Sequence, residues 1–282
     1  MPLPKRNIWN SGVSQCTMKA ACALPKGSEP IPAATILLLR DGDAGLQVLM
    51  VRRHHEIEFA AGALVFPGGK AAASDFDPEI SDFAEGIAAW NAGLQAVAVA
   101  AIREAFEEAG VLIARDQNTR ELVSETRLAA LDHYRERIEK GETSLLTMLR
   151  EERLRLACDQ LVHFAHWVTP KHMPRRYDAH FFLARVPVGH VGQHCGRESV
   201  DSLWVSPQEA IAKRKEWRIM FPTRLNLMKL AEANSVEDAL FRARKQRPLT
   251  VEPWVEEAPG GRRLHIREDA GYALTNVPLR DG

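Results

Sequence analysis

The spacing of apolar residues predicts several strands in the first third of the chain and again in its middle. Two runs of strand-forming residues, 34–40 and 46–52, flank a short turn containing Gly and Asp, which predicts a hairpin. A shorter apolar run, ALVF, ends at Pro67. The glycines in the FPGG stretch that follows would let the backbone approach a ligand closely. Strand character returns in LVHFAHWVTP and in AHFFLARVPV.

Between and after these strands, apolar residues recur at helical spacing. Asn91 is the predicted N-cap of a long helix that runs to Ala109, and Gly110 stands where helices commonly end in a left-handed conformation. Two amphipathic helices are predicted within 120–157. Two more are predicted in SPQEAIAKR and PTRLNLMKLAEAN. The apolar positions that define the pair within 120–157 are Leu128, Leu131, Ile138, Leu145, Leu146 and Leu149.

The chain shows no internal repeat and no convincing linker in its 282 residues. We therefore expect one main domain over 31–245, preceded by a poorly ordered leader over 1–30. An extension over 246–282 is expected to pack on that domain and to contain a hairpin around Gly260 and Gly261.

Charge and cysteine usage exclude several classes of function. Lysine plus arginine equal aspartate plus glutamate at 37 each, so no overall field attracts nucleic acid or a membrane surface. The four cysteines contain no CxxC pair, which argues against a zinc ribbon or a disulfide scaffold and fits a reducing cytoplasm. No apolar run approaches the ~20 residues that a membrane-spanning helix needs.

The most informative stretch is AAIREAFEEAGVLI, which places three carboxylates on one face of a predicted helix. Glu104, Glu107 and Glu108 stand at i, i+3 and i+4, where like charges destabilise an isolated helix by roughly 0.2–0.5 kcal/mol per pair. Arg103 is the only cation nearby in the sequence. Carboxylates facing a glycine turn are a hard-oxygen site for Mg²⁺ or Mn²⁺, which could also bridge phosphate oxygens. Bound cations would turn the repelling charges into ligands.

FPGG followed by REAFEEAGV resembles the signature of the Nudix hydrolases. Gly69 matches the glycine of the first half, and Asp75, six residues later, stands where a longer glutamate is usual. The two halves are further apart than in the usual pattern, which is interpreted as an insertion after Asp75. The same split signature is found in a sub-branch that includes peroxisomal coenzyme-A diphosphatases and bacterial relatives. The residues that match the second half are Arg103, Glu104, Glu107, Glu108, Gly110 and Val111.

The resemblance implies an α/β (α+β) Nudix fold, in which a mixed sheet lies between helices, with a helical insertion and a C-terminal hairpin. It implies a hydrolase that cleaves the diphosphate of a nucleoside diphosphate linked to a group X. Glu104, Glu107 and Glu108 would bind Mg²⁺ or Mn²⁺, and Arg103 would hold them by ion pairing. Gly68 and Gly69 would let the loop pass close to metal and phosphate. Relatives often pair, so a homodimer is one expected assembly.

Other residues have a structural and a functional interpretation. Asp75 is either a helix cap or part of the split signature, and Glu198 is either a surface acid or a helper acid. Arg175 and Arg176 are either surface cations or a fork for the diphosphate. Phe181 and Phe182 are expected in the core rather than stacked on a base. The histidines of HFAHW and HVGQHC attract notice, but a zinc site at His190, His194 and Cys195 is not favoured, because no fourth ligand is apparent.

The sequence does not select the substrate. The sub-branch favours CoA or acyl-CoA. CoA-directed relatives, however, often carry an arginine where this chain has Glu58, although Gly62 fits their pattern. ADP-ribose, NADH and dinucleoside polyphosphates stay open. A different class of function is a Nudix domain that binds a nucleotide without cleaving it, yet loss of the glutamates would mark such a sensor, and all three are present. The insertion within 120–157 is either an added packing layer or a lid over the substrate.

Overall fold

The computed structural model describes residues 29–53, 62–192 and 199–279. An eight-stranded mixed sheet forms the centre of the fold, in the order β10-β2-β1-β9-β8-β11, with β3 beside β2 and β4 beside β1. Two three-stranded sheets, β5-β7-β6 and β12-β13-β14, flank it. The strands are β1 (Ile31–Gly42), β2 (Gly45–Arg53), β3 (Leu64–Val65), β4 (Gly68–Lys70), β5 (Ala84–Glu85), β6 (Ala114–Asp116), β7 (Leu154–Ala157), β8 (Val162–Val168), β9 (Tyr177–Arg185), β10 (Ser199–Val205), β11 (Thr250–Val251), β12 (Trp254–Ala258), β13 (Gly261–His265) and β14 (Asn276–Pro278).

The main sheet separates two hydrophobic cores, because its central strands are apolar on both faces. On β1, Ile36 and Leu38 pack into one core, whereas Leu37 and Leu39 pack into the other. All four side chains are buried, as expected for a strand covered on both sides. Helices cover both faces: α1 (Ala92–Ala109), α2 (Glu125–Leu131), α3 (His133–Glu139) and α4 (Leu145–Glu151) on one, and α5 (Pro207–Ala212), α6 (Phe221–Leu230) and α7 (Val236–Arg244) on the other. The predicted sandwich of a mixed sheet between helices is confirmed.

Helix α1 has the ends that the sequence predicts. The side chain of Asn91 accepts a hydrogen bond from the backbone N–H of Leu94, and Gly110 ends the helix with φ 62° and ψ 32°. The helix is buried on every side from Ala96 to Ala109. A helix buried all round normally carries apolar residues on every face, so the charged side chains of its last two turns require compensation from within the fold.

The segment between 120 and 157 differs from the prediction in two respects. Its last residues, Leu154–Ala157, form strand β7 rather than helix. The segment also contains three helices instead of two, because the first predicted helix is divided at Asp132 into α2 and α3. Leu131, Ile138 and Leu149 are buried in the same core as α1. These contacts support the interpretation of the insertion as a packing layer.

The residues after 246 pack on the main sheet. Strand β11 pairs in parallel with β8, and Tyr272 accepts a hydrogen bond from the indole N–H of Trp167 at 3.0 Å. The predicted hairpin around Gly260 and Gly261 is present as β12 and β13. A domain boundary at 245 stays a prediction.

Within the described residues, every helix is too short or too polar to cross a bilayer.

Candidate functional site

Two carboxylates of α1, those of Glu104 and Glu107, converge with the carboxylate of Asp75 on a single guanidinium, that of Arg103. Its Nη1 donates to Glu104 Oε1 at 2.9 Å and to Glu107 Oε2 at 3.0 Å. Its Nε and Nη2 donate to the carboxylate of Asp75 at 3.0 Å each, and Nη2 also donates to the carbonyl of Lys70 at 2.9 Å. Arg103 therefore offsets part of the negative charge of this helix face and holds two of its three carboxylates.

Asp75 belongs to this network, although the segment inserted after it separates it from α1 in the sequence. It stands in a short 3₁₀ turn, is 1% exposed, and also accepts a hydrogen bond from the backbone N–H of Ala72 at 2.8 Å. Asp75 thus caps its own turn and pairs with Arg103, while its part in the split signature stays a prediction. The shorter acid thus reaches the arginine, and the two halves of the split signature lie together in the fold.

The glycine turn lies against the same carboxylates. The backbone N–H of Gly68 donates to Glu108 Oε2 at 2.9 Å. A Cβ at Gly69 would overlap the carboxylate of Glu104, with Glu104 Cδ only 2.6 Å away. A Cβ at Gly68 would meet the backbone of β1, 2.8 Å from the Cα of Thr35. Both glycines are therefore required by close packing, and Gly69 specifically by its approach to a site carboxylate.

Burial and charge set the protonation of the cluster. Glu104, Glu107 and Glu108 are between 4% and 7% exposed. Burial raises the pKa of Glu107, although the attraction of Arg103 works in the opposite direction. Burial also acts to lower the pKa of Arg103, but Glu104, Asp75 and Glu107 outweigh it and raise that pKa. Arg103 is therefore charged at all ordinary pH values.

The two predicted substrate arginines have different surroundings. Arg175 is exposed, whereas Arg176 is 6% exposed. The guanidinium of Arg176 donates to the carbonyl of Thr169 at 3.0 Å and to Glu252 at 3.1 Å, which ties the end of β8 to the segment before β12. These contacts occupy the buried guanidinium of Arg176, and its role as a fork for the diphosphate stays a prediction. For Arg175 the role stays a prediction.

Some of the other residues singled out in the sequence lie in the core, and others lie outside the described ranges. Phe181 and Phe182 are 7% and 0% exposed and pack in the two cores, as expected. Glu198, His194 and Cys195 lie outside the described residues, as does Glu58. His190 is buried, and one of its ring nitrogens lies 2.9 Å from the carbonyl of Val123.

Sequence reasoning missed a second cluster of polar side chains, built from His163 and His166 on β8 and from Asp178 and His180 on β9. One ligand atom from each of His166, Asp178 and His180 lies within 4.8 Å of the others. The spacing of 163 and 166 would place these side chains on opposite faces of a regular strand. An irregularity in the pairing of β8 with β9 between His163 and Ala165 brings both to one face. The Asp-x-His alternation on β9 was the available sequence signal.

Comparisons with known proteins agree with the geometry. The family model described as the NUDT19 Nudix domain matches residues 92–230. This range includes α1 and the helical segment within 120–157 but not the glycine turn. Acyl-coenzyme A diphosphatase NUDT19 of Xenopus laevis is 26% identical over 62% of this chain and 57% of its own length. The Gallus gallus protein of the same name is 29% identical over 83% of this chain and 71% of its own length. The chain thus spans little more than half of the Xenopus relative.

A solved structure gives the same result for the fold. The crystal structure of a NUDIX hydrolase from Alicyclobacillus acidocaldarius has a TM-score of 0.63 and 28% identity to this chain. The superposition covers 76% of this chain and 96% of the other. The glycine turn and the acidic helix thus lie in a fold that a solved NUDIX hydrolase also adopts.

Proposed function

We propose that the chain is a Nudix hydrolase that resembles the coenzyme-A diphosphatases, and that it hydrolyses the diphosphate of a nucleoside diphosphate linked to a group X. CoA and acyl-CoA are the first candidates, since two relatives bear the name acyl-coenzyme A diphosphatase. The observation that carries the proposal is the reassembly of the split signature around Arg103, which contacts Asp75 from one half and Glu104 and Glu107 from the other.

The donor set fits a divalent cation of the hard type. Three carboxylates that are at most 7% exposed, beside a glycine that leaves no room for a Cβ, are oxygen ligands suited to Mg²⁺ or Mn²⁺. We propose that Glu104, Glu107 and Glu108 hold the cation. When bound, such an ion polarises a phosphoryl oxygen and lowers the pKa of a water molecule.

Other residues of the chain would orient the glutamate side chains and hold them in position. Arg103 keeps Glu104 and Glu107 in fixed rotamers through one Nη1 group, and Asp75 anchors the opposite side of the guanidinium. The N–H of Gly68 fixes Glu108 in the same way. Holding ligands within a fraction of an ångström is what makes such a site effective. Arg175, which is exposed, stays a candidate for contacting the substrate's diphosphate.

The compartment and assembly also stay proposals. We propose a cytoplasmic enzyme acting on a small molecule, with neither nucleic acid nor membrane as a partner, in line with the balanced charge and cysteine usage. Light scattering of the purified chain would test the homodimer.

A substrate panel read by mass spectrometry tests the function. The purified chain is incubated with CoA, an acyl-CoA, ADP-ribose, NADH and a dinucleoside polyphosphate, with Mg²⁺, with Mn²⁺, or with EDTA. We expect cleavage of a diphosphate with either cation and none with EDTA. For CoA the products would be 3′,5′-ADP and phosphopantetheine. Thermal stabilisation by one of these nucleotides without any cleavage would instead favour the sensor.

A further inference from the structure

The second polar cluster lies in the same lateral row of the sheet as the glycine turn. In the pairing of β4, β1, β9, β8 and β11, Gly69 stands beside Ala34, Ala34 beside His180, His180 beside His166, and His166 beside Thr250. Residues directly paired across strands point to the same face, and Gly69 marks that face as the one covered by α1. Strands are ~4.8 Å apart, so the row places His180 roughly 10 Å from Gly69.

Both histidines direct the same ring atom at one carboxylate. Nε2 of His166 contacts Oδ1 of Asp178, and Nε2 of His180 lies 3.7 Å from the same oxygen. Asp178 and His180 are two residues apart on β9, and therefore share a face. Two imidazole nitrogens and a carboxylate oxygen thus meet at one point of the sheet surface.

The other ring nitrogens are already engaged. Nδ1 of His166 lies 2.9 Å from the hydroxyl of Thr250, and Nδ1 of His180 lies 3.1 Å from Nε2 of His163. Histidines that bind metals usually have their second nitrogen held in this way, which fixes the ring and leaves the first nitrogen for the ion. Thr250 and His163 would be such outer partners. The rings of His166 and His180 stack with centroids 4.0 Å apart, which holds them parallel.

The cluster is accessible and has space beside it. The side chains of His166, Asp178 and His180 are 18%, 37% and 16% exposed, so they are neither sealed in the core nor free on the surface. Together with His163 they line a pocket of about 380 Å³, whose remaining wall comes from β1, the segment between Asp75 and α1, and the first turns of α1. The residues of that wall are Pro32, Phe76, Asn91, Gly93, Leu94 and Val97.

We propose that His166, Asp178 and His180 form a second metal site, selective for a borderline transition-metal dication such as Zn²⁺ and separate from the carboxylate cluster. Two imidazoles and a carboxylate are a common donor set for such ions, and three protein ligands leave a position for water. Two atoms bonded to one Zn²⁺ at ~2.1 Å are at most ~4.2 Å apart. Asp178 Oδ1 already lies within that limit of both Nε2 atoms, and the three ligand atoms lie within 4.8 Å of one another, so small side-chain rotations would bring the set to bonding distance.

Calorimetry tests the site on the full chain. The protein is stripped with EDTA, dialysed, and titrated with Zn²⁺ in saturating Mg²⁺, which occupies the carboxylates. We expect one Zn²⁺ per chain in the wild type. Because loss of an outer partner alone typically costs 10–100-fold in metal affinity, the His166→Gln/His180→Gln double variant should bind roughly 100-fold more weakly or worse. His172→Gln removes an exposed histidine and is the matched control.

Two further variants keep the test decisive if the double variant folds poorly. Asp178→Asn keeps the side-chain shape and should weaken Zn²⁺ binding, and Thr250→Val should weaken it by about 10-fold through the outer partner alone. Replacing Zn²⁺ by Co²⁺ gives a visible absorption spectrum whose intensity reports the coordination geometry, independently of any enzymatic activity.

The proposal fails if the wild type binds no Zn²⁺ under these conditions, which would leave a histidine–aspartate hydrogen-bond pair only. It also fails if the double variant binds as tightly as the wild type, or if Glu107→Gln abolishes Zn²⁺ binding, since the ion would then belong elsewhere. None of these outcomes bears on cleavage of a diphosphate, so the proposed function stands or falls separately.

Discussion

Two polar clusters lie on the same face of one sheet, two strands apart, and are built in opposite ways. The glutamate cluster comes from consecutive turns of a helix and is at most 7% exposed. The guanidinium of Arg103 holds Glu104 and Glu107, and the N–H of Gly68 holds Glu108. The histidine cluster comes from neighbouring strands and is held by contacts among its own members and Thr250. A helix face concentrates like charges, which need a counterion, whereas paired strands bring mixed donors together without one. The comparison predicts two sites with different metal preferences.

The largest expected effect is on catalysis at the glutamate cluster. Glu107→Gln removes a charge but little volume, and should lower kcat/KM for the cleaved diphosphate by ~10³-fold or more, because metal assistance is worth several kcal/mol. Glu142→Gln, in an exposed position of the insertion, is the matched control and should retain wild-type turnover. Near-normal turnover of Glu107→Gln at saturating Mg²⁺ would show that Glu107 is not an essential metal ligand.

The next effect is on stability and concerns the counterion. Asp75→Asn leaves a buried guanidinium with one carboxylate fewer, and breaking a buried ion pair costs about 3–5 kcal/mol. We expect the free energy of unfolding, measured in urea at pH 7, to fall by about that amount. Asp82→Asn, at an exposed position in the segment that follows Asp75, should change it by less than ~0.5 kcal/mol. Equal stability of the two variants would mean that Asp75 is not needed to balance Arg103.

A smaller effect is expected at Gly69, the glycine of the turn that packs against Glu104 of α1. Gly69→Ala places a Cβ against Glu104, which must then shift. We expect weaker Mn²⁺ binding, by about 10-fold, since misplacement of a ligand is costly, while Zn²⁺ binding at the histidines stays unchanged. Electron paramagnetic resonance of Mn²⁺ would measure the first and calorimetry the second. A parallel loss of both would show that the two clusters are not independent.

The smallest effect is on the pH dependence of stability in metal-free protein. Burial, together with neighbouring histidines, lowers the pKa of His163 to about 3 and that of His180 to about 4. Unfolded histidines titrate near 6.5, so between pH 6.5 and 4 the unfolded state binds more protons. Stability that is present above pH 6.5 is therefore lost as the pH falls through this window.

Replacing one of these histidines separates their contribution from that of Glu107. The raised pKa of Glu107 acts with the opposite sign, because the folded state then takes up the proton first. We expect His163→Gln to lose less stability than the wild type between pH 7 and pH 5 in urea titrations with EDTA, while exposed His172→Gln follows the wild type. The same slope in all three proteins would contradict the assigned environment of His163.

Much of the fold could be predicted because its signals are local. Asn91 and Gly110 carry the cap chemistry of α1, and strand β1 is apolar enough on both faces to be buried on both. Most of the glutamate cluster could also be predicted, because its three acids and Arg103 lie within two turns of one helix.

The remaining features depend on contacts that no local pattern specifies. Arg176 pairs with Glu252, which is far away in the sequence, and Asp75 pairs with Arg103 across the segment inserted between them. The histidine cluster depends on an irregularity in β8 that shifts the face of His163. A period-2 pattern places His163 and His166 on opposite faces, so it does not predict that the two side chains lie together.

The central claim is that the split signature forms one hard-cation site. Anomalous diffraction from crystals soaked in Mn²⁺ tests it most directly. The account predicts a peak within bonding distance of carboxylate oxygens from Glu104, Glu107 and Glu108, unchanged when Zn²⁺ is added at the histidines. A Mn²⁺-soaked crystal with no peak at those oxygens would contradict it.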